Sequence, residues 1–319
     1  MQFKSNEQPL ILIIGPTAVG KSDFAIQLAE RIGGEIISAD SRNFYRGMNI
    51  GTAKPSKTDM GRIPHHLINI ADPNEVISLN IFQKLAGKAI NEVLGKNRIP
   101  ILVGGTGQYI RAIVEGWKIP EGKPNPRMRI VLEKLGEEVG KDNIHQKLGI
   151  LDPQAAKSID PANIRRTVRA MEVILSSGRR FSDQRMKVGC PYSTFTIGLN
   201  RPRKELYGLV DMRIEKMIED GLKNEVMQLI KIGYSPFLPS MSAIGYKEFS
   251  QVILNEINEE EAIVLIKKRT RIFIRRQSAW FRSDDPRIHW FVPGKQTLVE
   301  AINLIQNPKE WVKPTMVGM

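Results

Sequence analysis

Between a short apolar run and an amphipathic one, the chain carries Gly15-Pro16-Thr17-Ala18-Val19-Gly20-Lys21-Ser22, which satisfies G-x-x-x-x-G-K-[ST] at every fixed position. Leu10–Ile14 before it is apolar and rich in isoleucine, the pattern of a buried strand. Phe24, Ala25, Leu28 and Ala29 after it fall at helical spacing. Strand, glycine-rich turn and helix in that order make a phosphate-binding loop. The glycines let the backbone curl so that successive N–H groups face one anion, and the helix adds its positive end. Lys21 brings a full charge, and the Ser22 hydroxyl suits a Mg²⁺ shared with the phosphates. Gly15 through Ser22 are therefore expected to bind a di- or triphosphate with Mg²⁺. They do not say what the phosphate is attached to.

The alternation continues beyond the loop. Glu35–Ala39 reads as a strand ending at Asp40, and Leu79–Leu94 as a helix with Ser78 at its N-cap. Ile99–Val103 reads as a strand ending in Gly104-Gly105-Thr106-Gly107, with a helix through Tyr109–Val114. Alternating strands and helices predict a parallel sheet whose ligand lies at the strand C-terminal ends. The phosphate loop, Asp40 and Thr106 all follow such ends, so they are expected to meet in one crevice. Near Trp117 the rhythm breaks, and Pro120, Gly122, Pro124 and Pro126 mark a boundary. Arg127–Val139, Ile144–Leu148, Pro153–Lys157 and Pro161–Ser176 then read as helices. Phe195–Leu199 returns to the sheet. Helices Arg203–Ile232, Gly245–Leu254 and Glu259–Arg282 and a strand Ile288–Phe291 complete the pattern. The expected fold is α/β, a P-loop NTPase-like parallel sheet flanked by helices. Residues 1–117 and 195–319 would form its catalytic core and C-terminal helices, and residues 118–194 a mostly helical insertion.

Charge narrows the partner. The 319 residues hold 47 Lys and Arg against 34 Asp and Glu, a net charge of +13, which points to a polyanion. Glu259, Glu260 and Glu261 open the helix beginning near Glu259, in the sense that suits its dipole. Ile266, Thr270, Phe273, Gln277 and Trp280 then share a packing face. Lys268, Arg271, Arg275 and Arg282 share the opposite one, with Arg269 and Arg276 on the flank. No acid interrupts this stripe after Glu261, which suits a phosphate backbone. A second cluster, Arg165, Arg166 and Arg169, either grips nucleic acid or pairs with Glu172 and Asp183. The single cysteine, Cys190, excludes an internal disulfide and suits a reducing cytoplasm. The chain start, Met1 to Pro9, is polar, and no apolar run reaches the roughly 20 residues of a membrane span. A cytoplasmic monomer with no membrane association is the expectation. His65 and His66 have no metal-ligand partners in sequence and read as structural.

Five ordered segments carry a family resemblance. Asp40-Ser41-Arg42-Asn43-Phe44-Tyr45-Arg46-Gly47-Met48-Asn49-Ile50-Gly51-Thr52-Ala53-Lys54-Pro55 resembles the D-S-x-Q-x-Y-x-G-x-D-I-G-T-A-K-P segment of tRNA dimethylallyltransferases. Pro64-His65-His66-Leu67-Ile68 and Gly104-Gly105-Thr106-Gly107-Gln108-Tyr109 are similar to two more. Ala243-Ile244-Gly245-Tyr246-Lys247-Glu248 and Arg276-Gln277-Ser278-Ala279-Trp280-Phe281-Arg282 resemble the C-terminal ones. The resemblance runs from the phosphate loop to about Trp290. Asn43 replaces the usual Gln, Asn49 the common Asp, and Gly107-Gln108 an apolar pair. Ser278 and Ala279 are also departures.

The resemblance implies transfer of a dimethylallyl group from dimethylallyl diphosphate to N6 of the adenosine just 3′ of the anticodon. That adenosine is position 37 of tRNAs reading codons that begin with U. The phosphate loop would then hold the diphosphate of an isoprenoid donor, with Mg²⁺ on Ser22 as cofactor. An allylic diphosphate ionises once its leaving charge is neutralised, which Lys21 and the loop amides can do. Asp40 is placed to accept the N6 proton. Thr106 matches the family threonine facing the bridging oxygen and the incoming base. Arg213, in Arg213-Ile214-Glu215-Lys216-Met217, matches R-[IV]-x-x-M and would align the diphosphate. The adenine must leave the anticodon stem-loop stack to react. Contacts to tRNA carry over to Asp40, Ser41, Arg42, Asn43, Thr106 and Arg129. They extend to Asn163, Ile164, Arg165 and Arg166, and to Ala243, Ile244, Gly245, Tyr246 and Lys247. Met48, Ile50 and Tyr109 line either the substrate pocket or the core.

Other readings compete. A P-loop kinase of a small metabolite explains the loop and Asp40 but not the basic surfaces or the insertion. An RNA-binding ATPase needs a second acidic motif at a strand end, and Ile101-Leu102-Val103 ends in glycines. A prenyltransferase of free adenine nucleotides keeps the chemistry but leaves the basic surfaces without a partner.

Overall fold

The computed structural model describes residues 8–120, 125–184 and 186–315. The described chain packs into two compact units, one formed up to Val114 and again from Cys190, the other from Glu115 to Gly189.

The first unit begins with β1 (Pro9–Ile14), α1 (Lys21–Ile32), β2 (Gly34–Ser38), α2 (Lys57–Arg62) and β3 (His65–His66). It continues with α3 (Leu79–Gly95), β4 (Ile99–Gly104) and α4 (Gly107–Val114). The strands form one parallel sheet with β1 between β4 and a later strand, Ser193–Leu199. Every residue of β1, β2 and β4 is buried, as a sheet covered on both faces requires. Each fully buried Leu or Ile there contributes about 1.5–3 kcal/mol over exposure. The loops that follow β1, β2 and β4 are thus set on a rigid floor. One acid, Glu35 of β2, is buried yet paired, accepting from His66 Nε2 at 2.7 Å and from Lys96 Nζ at 3.3 Å. Burial opposes its ionisation, but His66 and Lys96 hold its pKa below the usual carboxylate value. His65 and His66 thus form the edge strand β3, which periodicity did not reveal.

The second unit holds α5 (Pro126–Val139), α6 (Lys141–Leu151), α7 (Pro153–Ser158) and α8 (Ile164–Ser177). Its own core gathers Leu132, Ile144, Leu148, Val168, Met171 and Phe181. Asn163 caps α8, accepting the Arg166 N–H at 3.2 Å, so this helix starts later than the expected Pro161. Residues 121–124 of the Pro/Gly-rich passage, including Gly122 and Pro124, lie outside the described residues.

The first unit resumes with β5 (Ser193–Leu199), α9 (Arg203–Glu219), α10 (Leu222–Lys231), α11 (Tyr246–Ile253), α12 (Glu259–Ser278), β6 (Ile288–Phe291) and α13 (Thr297–Ile305). The sheet order is β3-β2-β4-β1-β5-β6. The expected single helix Arg203–Ile232 is two helices, because Gly221 turns the chain at φ 94°. The helix expected to reach Arg282 stops at Ser278, where Trp280 turns onto α4. No helix of the described residues is long and apolar enough to cross a membrane.

Candidate active site

Three strand ends deliver the predicted residues to one place in the first unit. After β1 the backbone curls through positive φ at Gly15, Ala18 and Gly20, then enters α1 at Lys21. Lys21 Nζ donates to the Pro16 carbonyl at 2.7 Å. After β2, Asp40 Oδ1 accepts the Arg42 N–H at 2.9 Å, a turn that fixes the carboxylate. The Arg42 guanidinium donates to the carbonyls of Pro239 and Ser240, at 3.0 and 3.1 Å, and to Ser242 Oγ at 3.2 Å. It ties the end of β2 to the segment leading into α11. After β4, Thr106 starts α4, its carbonyl accepting the Tyr109 and Ile110 N–H groups.

A fourth element closes the site. Gln277 of α12 is buried, and its Oε1 accepts the Thr17 N–H at 2.8 Å. A Cβ on Gly105 would lie 2.2 Å from Gln277 Nε2, so only glycine admits this approach. The next turn of the chain places Trp280 against Gly107, and Arg111 Nη2 donates to the Trp280 carbonyl at 2.8 Å.

Two adjoining cavities result. The larger, about 660 Å³, is lined by the polar Asp40, Thr106 and Arg213 and by the apolar Val210, Ile214, Met217 and Phe273. The smaller, about 70 Å³, is lined by Lys21, Ser22, Asn43 and His65. Thr17, Asp40, Thr52 and Arg213 belong to the walls of both. Burial pulls the Lys21 ammonium down to about 8; Asp40 opposes the fall and Arg213 adds to it. Burial also lowers the Arg213 pKa, against the pull of Asp40 and Asp23. Two desolvated cations therefore face Asp40 in a crevice whose field favours an added anion.

The structure brings together Thr17, Ala18, Lys21, Ser22, Asp40, Ser41, Arg42, Asn43, Thr106 and Arg213 on these walls, with Ala243, Ile244 and Gly245. Gly15, Pro16, Val19 and Gly20 shape the loop behind them. Tyr246 is fully buried and Lys247 exposed, neither on a wall. Met48 and Tyr109 are core residues, Tyr109 stacking on Phe44 and Phe82, and Ile50 packs partly buried against that core. In the second unit, Arg129 and Arg169 both donate to the buried Glu172, while Arg165 and Arg166 are exposed.

Two expectations about α12 need correction. Its Ile266, Thr270, Phe273, Gln277 face lines the larger cavity rather than only packing. Its basic stripe is partly neutralised by acids distant in sequence, Arg269 pairing with Glu248 and Arg271 with Asp211, while Lys267, outside the stripe, pairs with Glu215. Arg282 lies past the helix and pairs with Asp284. Among the described residues, Lys268, Arg275 and Arg276 keep no ion pair. Gln277 and Thr52 also border the site, although nothing local in the sequence marks them.

Comparison with known proteins gives the family. Residues 43–284 match the family described as IPP transferase, and residues 8–72 that described as isopentenyl transferase. A tRNA dimethylallyltransferase from a Roseiflexus species is 48% identical over 274 residues, 86% of this chain and 90% of that protein. One from Dehalococcoides mccartyi is 44% identical over 299 residues, 94% of this chain and 92% of that protein. The crystal structure of a tRNA isopentenylpyrophosphate transferase from Bacillus halodurans superposes with a TM-score of 0.70 at 38% identity, over 94% of this chain and 96% of that one. A eukaryotic dimethylallyltransferase acting on tRNA superposes with a TM-score of 0.73 at 28% identity, over 92% of this chain and 72% of that one. The chain whose strand ends converge on Lys21, Asp40 and Thr106 belongs to the tRNA dimethylallyltransferase family.

Proposed function

We propose that this protein transfers the dimethylallyl group of dimethylallyl diphosphate to N6 of adenosine 37, 3′ of the anticodon, in tRNAs reading codons that begin with U. The observation that carries the reading is the pair of cavities sharing Asp40 and Arg213. The small cationic one suits a diphosphate, and the larger one suits a prenyl chain meeting a base.

The chemistry follows from that division. The donor's C1–O bond breaks and its electron pair leaves with the diphosphate. Lys21, Arg213 and the loop amides hold the charge that develops there, in a site already short of anions. The N6 lone pair forms the new bond to C1, and the N6 proton passes to the Asp40 carboxylate. Thr106 borders the larger cavity, where its hydroxyl orients the incoming base. The apolar lining from α9 and α12 shields the allylic centre from water.

Ser22 offers a hydroxyl oxygen on the small cavity, and a Mg²⁺ whose other ligands are diphosphate and water needs only one or two protein oxygens. When bound there, the ion would supply further charge neutralisation at the leaving group. The anticodon stem-loop would be held by Ser41, Arg42, Asn43 and the Ala243–Lys247 segment. Arg129 and Asn163 to Arg166 of the helical unit would supply further contacts. The working form is taken as a cytoplasmic monomer, with the buried thiol of Cys190 suited to a reducing compartment.

The test incubates the protein and Mg²⁺ with labelled dimethylallyl diphosphate and unmodified tRNA, with AMP and ATP as parallel acceptors. Label in tRNA that vanishes in Asp40→Ala supports the reading. Label in AMP alone, or ATP hydrolysis without transfer, overturns it.

A further inference from the structure

Glu225 lies on α10, outside the five segments that resemble the family. Its carboxylate accepts the backbone N–H groups of Asn49 at 2.9 Å, Ile50 at 3.0 Å and Gly51 at 3.4 Å. It also accepts the Tyr246 hydroxyl at 2.5 Å. Three successive amides converging on one anion form a nest, and here a side chain of the protein fills it. These residues belong to neither a helix nor a strand, so Glu225 satisfies donors the local backbone leaves open.

The loop held this way runs directly into the site. Gly51 borders the larger cavity, and Thr52 belongs to the walls of both. Thr52 Oγ1 donates to the Met48 carbonyl at 2.8 Å, which sets its rotamer. Behind the loop, a Cβ on Gly51 would lie 2.5 Å from the Tyr246 ring and 2.8 Å from Leu222. On its far side, Lys54 Nζ donates to the Tyr45 carbonyl and to Asn69 Oδ1, both at 2.6 Å. Gly51, Thr52 and Ala53 are thus clamped at both ends, by Glu225 and by Lys54.

We propose that Glu225 is a positioning residue for prenyl transfer. By filling the amide nest it fixes Gly51 and Thr52 at the wall where the diphosphate and prenyl parts of the donor meet. The assignment rests on the function proposed above. Glu225 itself touches neither substrate.

Glu225→Gln keeps the shape but turns an N–H₂ toward the amides it must accept from. Donor and tRNA concentrations are varied separately, and inorganic diphosphate binding is measured by calorimetry on the full chain. We expect kcat/KM for the donor to fall about ten- to a hundredfold, the size expected when a reacting group is displaced by about an ångström. The KM for tRNA should stay within about twofold, and diphosphate binding should weaken. Lys223→Ala, an exposed change on the same helix, should leave all three unchanged. A donor kcat/KM unchanged in Glu225→Gln overturns the proposal. So does a loss that follows only the folded fraction, with both KM values and diphosphate affinity intact. A wild-type protein that prenylates no RNA overturns the functional reading instead. Glu225 is then judged on diphosphate affinity alone, and an unchanged affinity counts against it.

Discussion

Gln277 Oε1 accepts the Thr17 backbone N–H at 2.8 Å, joining the end of α12 to the phosphate-binding loop across 260 positions of sequence. Thr17 borders both cavities, so this bond fixes the loop where a donor must sit. Gln277→Ala removes the acceptor and opens space beside Gly105. The loss is expected at about 1 kcal/mol of stability from the bond, with a weaker diphosphate affinity. Gln277→Glu keeps an acceptor but adds a negative charge near the diphosphate. The added charge is buried, so this variant should melt below wild type and also bind diphosphate less well. Thermal melts and calorimetry on both variants check this, and normal diphosphate binding by the glutamate variant would refute it.

Asp40 is held by accepting the Arg42 N–H through Oδ1, a bond that an asparagine can also make. Asp40→Asn should therefore keep the turn and the tRNA affinity while removing the proton acceptor. The expected fall in kcat is about 10²–10⁴-fold, the usual contribution of a general base. Single-turnover prenylation with saturating tRNA reads the chemical step directly. A rate within a few-fold of wild type would assign the proton to another group.

Lys21 gives a pH dependence with a definite sign. In the free protein burial holds its pKa near 8. A bound diphosphate favours the charged form and raises that value. Below pH 8 the side chain is protonated with or without ligand, so Lys21 adds no pH dependence to the affinity beyond that of the diphosphate's own ionisation. Above it the free form loses the proton that the bound form keeps. Diphosphate affinity should then fall by about tenfold per pH unit until the bound form also titrates. Lys21→Met should bind weakly with this dependence abolished. Calorimetry across about pH 6 to 10 tests the slope; an unchanged slope in the methionine variant would remove Lys21 from the account.

The parts of the site that sequence revealed are those built from adjacent residues. The loop from Gly15 to Ser22, Asp40 at the end of one strand and Thr106 at the end of another need only a strand pattern and a turn. The pieces that stayed hidden are side chains whose partners are remote. Glu225 answers to Asn49, Ile50 and Gly51, and Gln277 to Thr17; no periodicity links them. Helical spacing grouped Ile266, Thr270, Phe273 and Gln277 on one face but could not say that this face borders a cavity. It also could not show that Asp211, Glu215 and Glu248 reach across to the cations of α12. Gly221 sat inside an otherwise helical pattern, where a lone glycine is often tolerated; its left-handed backbone makes it a break.

The helical unit supplies the last prediction. Glu172 of α8 is 1% exposed and accepts from Arg129 Nη2 at 2.7 Å, Arg169 Nη1 at 3.0 Å and the Asn125 N–H at 2.8 Å. Burial opposes its ionisation, but Arg129, the Asn125 N–H and Arg169 together hold the carboxyl below its usual pKa. A carboxylate with a depressed folded pKa stabilises fully above its unfolded value, near 4.3, and that contribution is lost as pH falls through the folded value. Both arginines remain about a third exposed and solvated, so the cost of Glu172→Gln is set below that of a fully dry pair, at about 1–3 kcal/mol at neutral pH. The deficit should shrink in acid, because wild type loses the same contribution there. The substitution also frees Arg129 and Arg169, so tRNA affinity should be kept or raised while stability falls. Melting curves from neutral pH to about pH 3, beside tRNA binding at neutral pH, separate these effects. A stability difference that does not narrow on acidification would mean that Glu172 acts through packing rather than through its charge.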